Sequence, residues 1–389
     1  MVPFIGVNRI ILITMDIVLV IIFILLINSM LVKSISNNFH CTPKNYPWLL
    51  FGFHALITIV YIIYSFDSNS DSWSYYIVPH GRDNWFSMYE SGTKFISFLA
   101  WPFIKILDIS FFGNMIIFSY LGYLGVLLFY LTAIENVKLP RSPNKMGPIE
   151  LVLLLPNLHF WTSSLGKGSV SLFAIGLFSF GLSRFNRSYI TIITASYLVY
   201  MIRPHILLAL VIGTMIGVFL TNVGIKPVFK WLIFLLSLIA FSYLSKSVLK
   251  FTDSDSLNIT ASSNLSHRTS ELSKATSGVD IQNYNQLEKV LTFWFRPLFF
   301  DQLGLFGFIA SIENALYIFM FLSLIRQLFV KWTKFNGLFK IFLFSFILGS
   351  VVLAQVSGNL GIALRQKTQF MPFLFILYYK AISFNKGYQ

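Results

Sequence analysis

The strongest constraint in this chain is a series of long apolar runs joined by short basic connections. A helix crossing the hydrocarbon core of a bilayer needs about 20 mostly apolar residues. Runs of this kind recur at 9–31, 47–65, 111–133, 149–161, 170–182, 189–201, 205–222, 231–249, 303–324, 338–356 and 370–382. Of the 389 residues only 11% are charged, 56% are hydrophobic and 42 are Phe, whereas a soluble domain carries about 25% charge. The mean hydropathy is +0.72. No water-soluble core of this size could hide that much apolar surface, and a lone Cys41 excludes a disulfide scaffold. The chain is expected to be an all-α, polytopic membrane helix bundle of about 11 spans, with residues 1–389 forming one integral membrane domain. The first run is too long for a signal peptide, and no small-residue cleavage site follows it.

The net charge of +14 comes from 29 Lys and Arg against 15 Asp and Glu. Most of the cations lie in the connections, where they orient the chain. Lys138, Arg141 and Lys145 fall on one side, joined by Arg184 and Arg187, Lys226 and Lys230, Arg326 to Lys340, and Lys380 and Lys386. That side is expected to be cytoplasmic, with the N-terminus outside and the C-terminus inside. The lipid bilayer is therefore a partner. Nucleic acid is not, because no basic run with interleaved aromatics lies outside the connections. Two large extracytoplasmic loops are expected, over 66–110 and 250–302. The first contains 95–108, an apolar stretch too short to span that reads as an interfacial or re-entrant helix.

An ionisable residue at membrane depth costs about 2.5–3.5 kcal/mol and therefore tends to mark a site. Here such residues gather at one boundary, in several separate segments. Asp67 and Asp71 follow the second run beside Trp73 and Tyr75, where a carboxylate can act as general base or hold a divalent ion. His159, Trp161 and Lys167 lie in a Pro- and Gly-broken segment, and a helix start bearing a Lys suits phosphate. Arg203-Pro204-His205 joins two runs almost without a loop, with the Arg fork suited to phosphate. Arg296-Pro297 precedes Glu313 and Asn314. Glu313 lies well inside a run and needs a partner such as Arg296 or Arg203. Arg365 and Lys367 lead into the last run. Asp16 and His54 read as helix-to-helix hydrogen bonds. No His or Cys shows zinc spacing, and no cofactor is expected.

Converging cations suit a diphosphate leaving group, while a carboxylate with aromatics suits a sugar. A lipid-diphosphate-linked sugar presents both at this depth. Asp71-Ser72-Trp73-Ser74-Tyr75 after two spans resembles the first outer loop of GT-C-type membrane glycosyltransferases. The layout is similar to EpsG-type and Wzy-type bacterial polysaccharide polymerases. The 92–96 and 160–163 patches, Lys167, Arg203-Pro204-His205, Arg296-Pro297 with Glu313-Asn314, and Arg365 resemble recurring patches of that group. Asn69-Ser70 stands where EpsG-type proteins usually have Gly-Thr. The resemblance implies a GT-C-like fold in a bacterial inner membrane. The implied activity is polymerisation of undecaprenyl-diphosphate-linked oligosaccharide for O-antigen, capsule or exopolysaccharide, alongside a flippase and a chain-length regulator. Asp71, Arg203 and Arg296 would be catalytic. Asp67, Tyr75, His159, Trp161, Lys167, His205, Glu313 and Arg365 would bind substrate. The alternatives are single-sugar transfer from a polyprenyl monophosphate, and a lipid-linked oligosaccharide flippase or other transporter.

Overall fold

The computed structural model describes residues 7–39, 45–68, 70–139, 145–221, parts of 228–239, and 278–385 apart from 280, 282, 302, 303 and 356. The described residues are helical, without strands, and one isolated antiparallel bridge joins Gly278 to Asn359. Five described helices are long and apolar enough to cross a membrane. They are α1 (Val7–Asn38), α2 (Tyr46–Asp67), α5 (Phe111–Asn136), α12 (Gly304–Lys331) and α13 (Gly337–Ala354). Shorter apolar helices are α8 (Lys167–Ser183), α9 (Tyr189–Ile202), α10 (Pro204–Phe219) and α15 (Met371–Asn385). Large apolar side chains face outward along them, such as Leu19, Phe23, Ile63, Ile193 and Phe329. Such a surface requires lipid, and the chain is a multi-pass helical membrane protein. Most of the expected 231–249 span, and 250–277 of the expected second loop, lie outside the described residues.

Two compact units divide the chain. The first comprises Met1–Ile134, Pro140–Phe180 and Ile190–Ile202; the second comprises Glu135–Leu139, Gly181–Tyr189 and Arg203–Gln389.

In the first unit the stretch expected as one span over 149–161 is interrupted. It forms two single-turn helices, α6 (Pro148–Val152) and α7 (Pro156–Phe160), and then an irregular stretch up to α8. Pro156 lacks an N–H and starts a new helix, so the run cannot continue as one rod. Local hydroxyls satisfy the carbonyls that the break releases. Thr162 Oγ1 donates to Leu158 O at 2.7 Å, Ser163 Oγ to Phe160 O at 3.2 Å and Ser169 Oγ to Ser164 O at 2.8 Å. This explains why the segment is rich in Ser and Thr, since buried backbone carbonyls need partners inside the protein.

The connection after α2 folds as α3 (Asp71–His80), a 3-10 turn (Trp85–Met88) and α4 (Thr93–Trp101), which runs on into a π turn (Pro102–Ile106). Trp85 Nε1 donates to Phe98 O at 2.8 Å and Trp101 Nε1 to Arg82 O at 2.8 Å, closing the hairpin. At about 1.5 Å per residue, α4 with its π turn is too short to span, as its sequence predicts.

Among the described helices of the second unit, α10 packs closely on α13. Gly213 and Gly217, four residues apart, bring the backbones together. A Cβ on Gly217 would lie 2.5 Å from Ile341 N and 2.6 Å from its Cα, and one on Gly213 would lie 2.7 Å from Ser345 N. Lipid provides no hydrophobic drive between helices, so this close backbone packing is what holds the pair. Gly217→Val is therefore expected to lower stability by about 2 kcal/mol or more, read as a reduced melting temperature in detergent. A wild-type melting temperature would contradict the close approach.

Candidate functional site

The first unit holds the acidic loop. Ser70 caps α3, its Oγ accepting from Ser72 N at 3.4 Å. Asp71 therefore occupies the first turn, where the helix dipole favours a carboxylate, and it is exposed. Asp67 is the exposed last residue of α2. The Tyr75 ring is buried against Gly166, 3.7 Å from where a Cβ there would stand. Gly166 directly precedes Lys167, the first residue of α8. Tyr75, Leu165 and Val170 belong to one apolar cluster, with half-buried Trp73, Phe160 and Trp161 packed on it. Trp73 stacks on Phe111 at 3.8 Å, and Trp161 meets Phe160 edge-on at 5.1 Å. The helix bearing Asp71 and the start of α8 are thus seated on the same aromatic base.

His159 is placed differently from its expected substrate-binding role. It is fully buried, Nε2 facing Leu153 O at 2.7 Å and Nδ1 facing His54 Nδ1 at 2.7 Å. A carbonyl can only accept, so Nε2 carries the proton, and neutral His159 accepts from His54 Nδ1–H. Both ring nitrogens serve the interrupted segment and none is left for a ligand. His54 makes the helix-to-helix bond expected of it. Asp16 Oδ2 accepts from Ser110 N at 2.6 Å, ahead of α5.

The second unit holds the remaining candidates. Arg203 is the N-cap residue of α10, where α9 ends, and is only 9% exposed. Its carbonyl accepts from Ile206 N at 3.0 Å, and His205 is half-buried one residue inside the helix. α11 (Gln286–Phe295) opens with a reciprocal cap: Glu288 N donates to Asn285 Oδ1 at 3.0 Å, and Asn285 N to Glu288 Oε2 at 2.7 Å. Arg296 closes that helix and grips Asp301. Its Nε lies 3.2 and 3.3 Å from the two carboxylate oxygens, Nη2 contacts Oδ1, and Leu298 N donates to Oδ2 at 2.7 Å. The Asp301 partnership raises the Arg296 pKa. Arg296 is therefore committed to Asp301 and not to Glu313, the partner considered for it. Glu313 is buried and accepts from Tyr317 Oη at 3.1 Å.

Lys367, read in the sequence only as a further cation beside Arg365, is the most enclosed cation among the described residues of this unit. It ends α14 (Leu360–Lys367) with no exposed surface. Nζ donates to Arg296 O at 2.8 Å, Asn314 Oδ1 at 2.9 Å and Trp294 O at 3.3 Å. Asn314 Nδ2 donates in turn to Pro297 O at 2.7 Å. Lys367 and Asn314 together hold the carbonyls of the turn that presents Arg296. Arg365, two residues earlier, is half-buried. In sequence Lys367 looked like one more basic anchor, because its acceptors are backbone carbonyls from residues far away in the chain. Among the described residues no His, Cys, Asp and Glu group is arranged to hold a metal ion.

The chain matches no known family, no curated protein and no solved structure.

Burial lowers the Lys367 pKa from 10.5 to about 7, with Glu313 opposing the shift. An unfolded chain holds this proton up to about pH 10.4. Between those values the unfolded state binds more protons than the folded one, so stability rises with pH. The wild-type melting temperature is expected to climb between pH 6 and pH 9 relative to that of Lys367→Met. A relative slope of the opposite sign would contradict a buried, desolvated Lys367.

Proposed function

We propose that the chain is a membrane glycosyltransferase acting on polyprenyl-diphosphate-linked sugars, in the form of a repeat-unit polymerase for O-antigen, capsule or exopolysaccharide. One observation carries this reading. An exposed carboxylate, Asp71, starts a short helix packed on the aromatic base that also seats Leu165 and Val170, on either side of Lys167 at the start of α8. A general base and an anion-binding helix start are then packed on one cluster of one unit.

In the proposed reaction an acceptor sugar hydroxyl attacks the anomeric carbon of the lipid-linked donor. The new glycosidic C–O bond forms as the bond to the diphosphate breaks. Asp71 takes the hydroxyl proton, and the lipid diphosphate leaves with the bonding electrons. The chemistry needs cations where that negative charge develops. In the first unit Lys167 is assigned to it, with Asp67 and Trp161 around the sugar. In the second unit Arg203, Arg296 and Arg365, with His205 and Glu313, are assigned to binding lipid diphosphate. Asp71 would lie on the extracytoplasmic side of a bacterial inner membrane, with the C-terminus in the cytoplasm. A flippase supplying lipid-linked units and a chain-length regulator would be partners.

The interrupted crossing over 148–166 favours a second reading. Broken helices at membrane depth are the usual site-forming device of transporters, so a lipid-linked oligosaccharide flippase is the rival.

Asp71→Asn and Arg203→Ala are expected to abolish long-chain polysaccharide at normal membrane protein level. Loss of a general base alone removes about 100-fold or more in rate. Wild-type chain lengths from both variants, read on a gel, would overturn the assignment.

A further inference from the structure

The end of the second unit that carries the basic connections contains a group of lysines with no role in the reaction above. Three of them are explained by helix ends. Lys340 Nζ donates to Leu220 O at 2.9 Å and Lys230 Nζ to Thr221 O at 2.8 Å, both at the end of α10. Lys331 Nζ donates to Phe384 O at 3.1 Å in the last turn of α15. Cations on carbonyls at helix C-termini are favourable and need no ligand.

Lys380 is not explained in this way. It is 9% exposed, and its Nζ lies over two aromatic faces, 4.8 Å from the centre of the Phe384 ring and 5.4 Å from that of Phe339. No carbonyl or carboxylate accepts from it among the described residues. The charge that acts on it is another cation, Lys138, exposed just beyond α5. Lys331 shares the Phe384 ring, 5.6 Å from its centre. Lys138, Lys331 and Lys380 make no ion pair among the described residues. Enclosing an ammonium with cationic neighbours and no anion is costly. Ring faces return only part of that cost.

The geometry points to a binding site for a phosphate group at Lys380 and Lys138, filled by the headgroup of an anionic phospholipid. Lys138 follows α5, Lys331 ends α12 and Lys380 lies in the last turns of α15, where basic residues meet the headgroups of a bilayer. Basic pockets between helices at that level recognise anionic lipid. A phosphate there would accept from Lys380 and Lys138 together and cancel their repulsion, with the Phe384 and Phe339 rings as its apolar floor. This site is independent of the glycosyltransferase reading.

The test uses delipidated protein in detergent, titrated with dioleoylphosphatidylglycerol or dioleoylphosphatidylcholine, with bound lipid counted by native mass spectrometry. The wild type is expected to retain phosphatidylglycerol over phosphatidylcholine. Lys138→Gln and Lys380→Gln should each weaken that binding about fivefold, the effect of one lysine near an anionic headgroup. Lys94→Gln, an exposed lysine paired with Glu90 in the other unit, should leave it unchanged. Should Lys380→Gln fail to fold, exposed Lys138 carries the test alone. Equal retention of the two lipids, or unchanged phosphatidylglycerol binding in the variants, would overturn the site. Inorganic phosphate displacing phosphatidylglycerol at equal concentration would overturn the lipid as its occupant.

Discussion

The absence of water in the bilayer core sets the terms for every part of this structure. A backbone carbonyl released by a helix break, or a charge carried to that depth, must find its partner inside the protein. The first unit meets this demand with hydroxyls, as Thr162, Ser163 and Ser169 serve the carbonyls of the interrupted 148–166 segment. The second meets it with amine and amide donors. Lys367 and Asn314 hold the turn after α11, and Lys340, Lys230 and Lys331 close helix ends. Much of the polarity in an otherwise apolar chain is thus structural.

That accounting narrows the residues available for chemistry. His159 is enclosed and fully engaged, and Tyr75 belongs to the packing of α3. Asp71 is an exposed carboxylate at a helix start, and Arg203 a nearly buried cation at the junction of two helices. These two are the residues on which the glycosyltransferase proposal rests most heavily. Lys367 enters it indirectly, because the Arg296 carbonyl is one of its acceptors.

How far the sequence could be read depended on whether the deciding contact was local. Apolar runs become helices because lipid leaves the backbone no alternative, and so α1, α2, α5, α12 and α13 fall where hydropathy puts them. The short α4 depends on neighbouring residues and could be read directly, whereas α11, with its local Asn285–Glu288 cap, lies inside the stretch expected as a loop. The break before Pro156 was visible as a proline, but composition alone merged the two sides into one span. Glu313 was recognised as needing a partner. Its contact with Tyr317, one helical turn away, was legible by spacing. Asp301 as the Arg296 partner follows a tight turn that hydropathy does not report. Lys367 stayed hidden among anchors because its acceptors come from α11 and α12, and only the fold brings them to it.

The central claim is that the polar residues left over from structure perform glycosyl transfer. Purified protein incubated with a single lipid-diphosphate-linked oligosaccharide repeat unit tests it most directly. The account predicts a ladder of products, each one repeat longer than the last, with release of lipid diphosphate. Unchanged repeat units, together with their movement across the membrane of a reconstituted vesicle, would contradict it and identify a transporter.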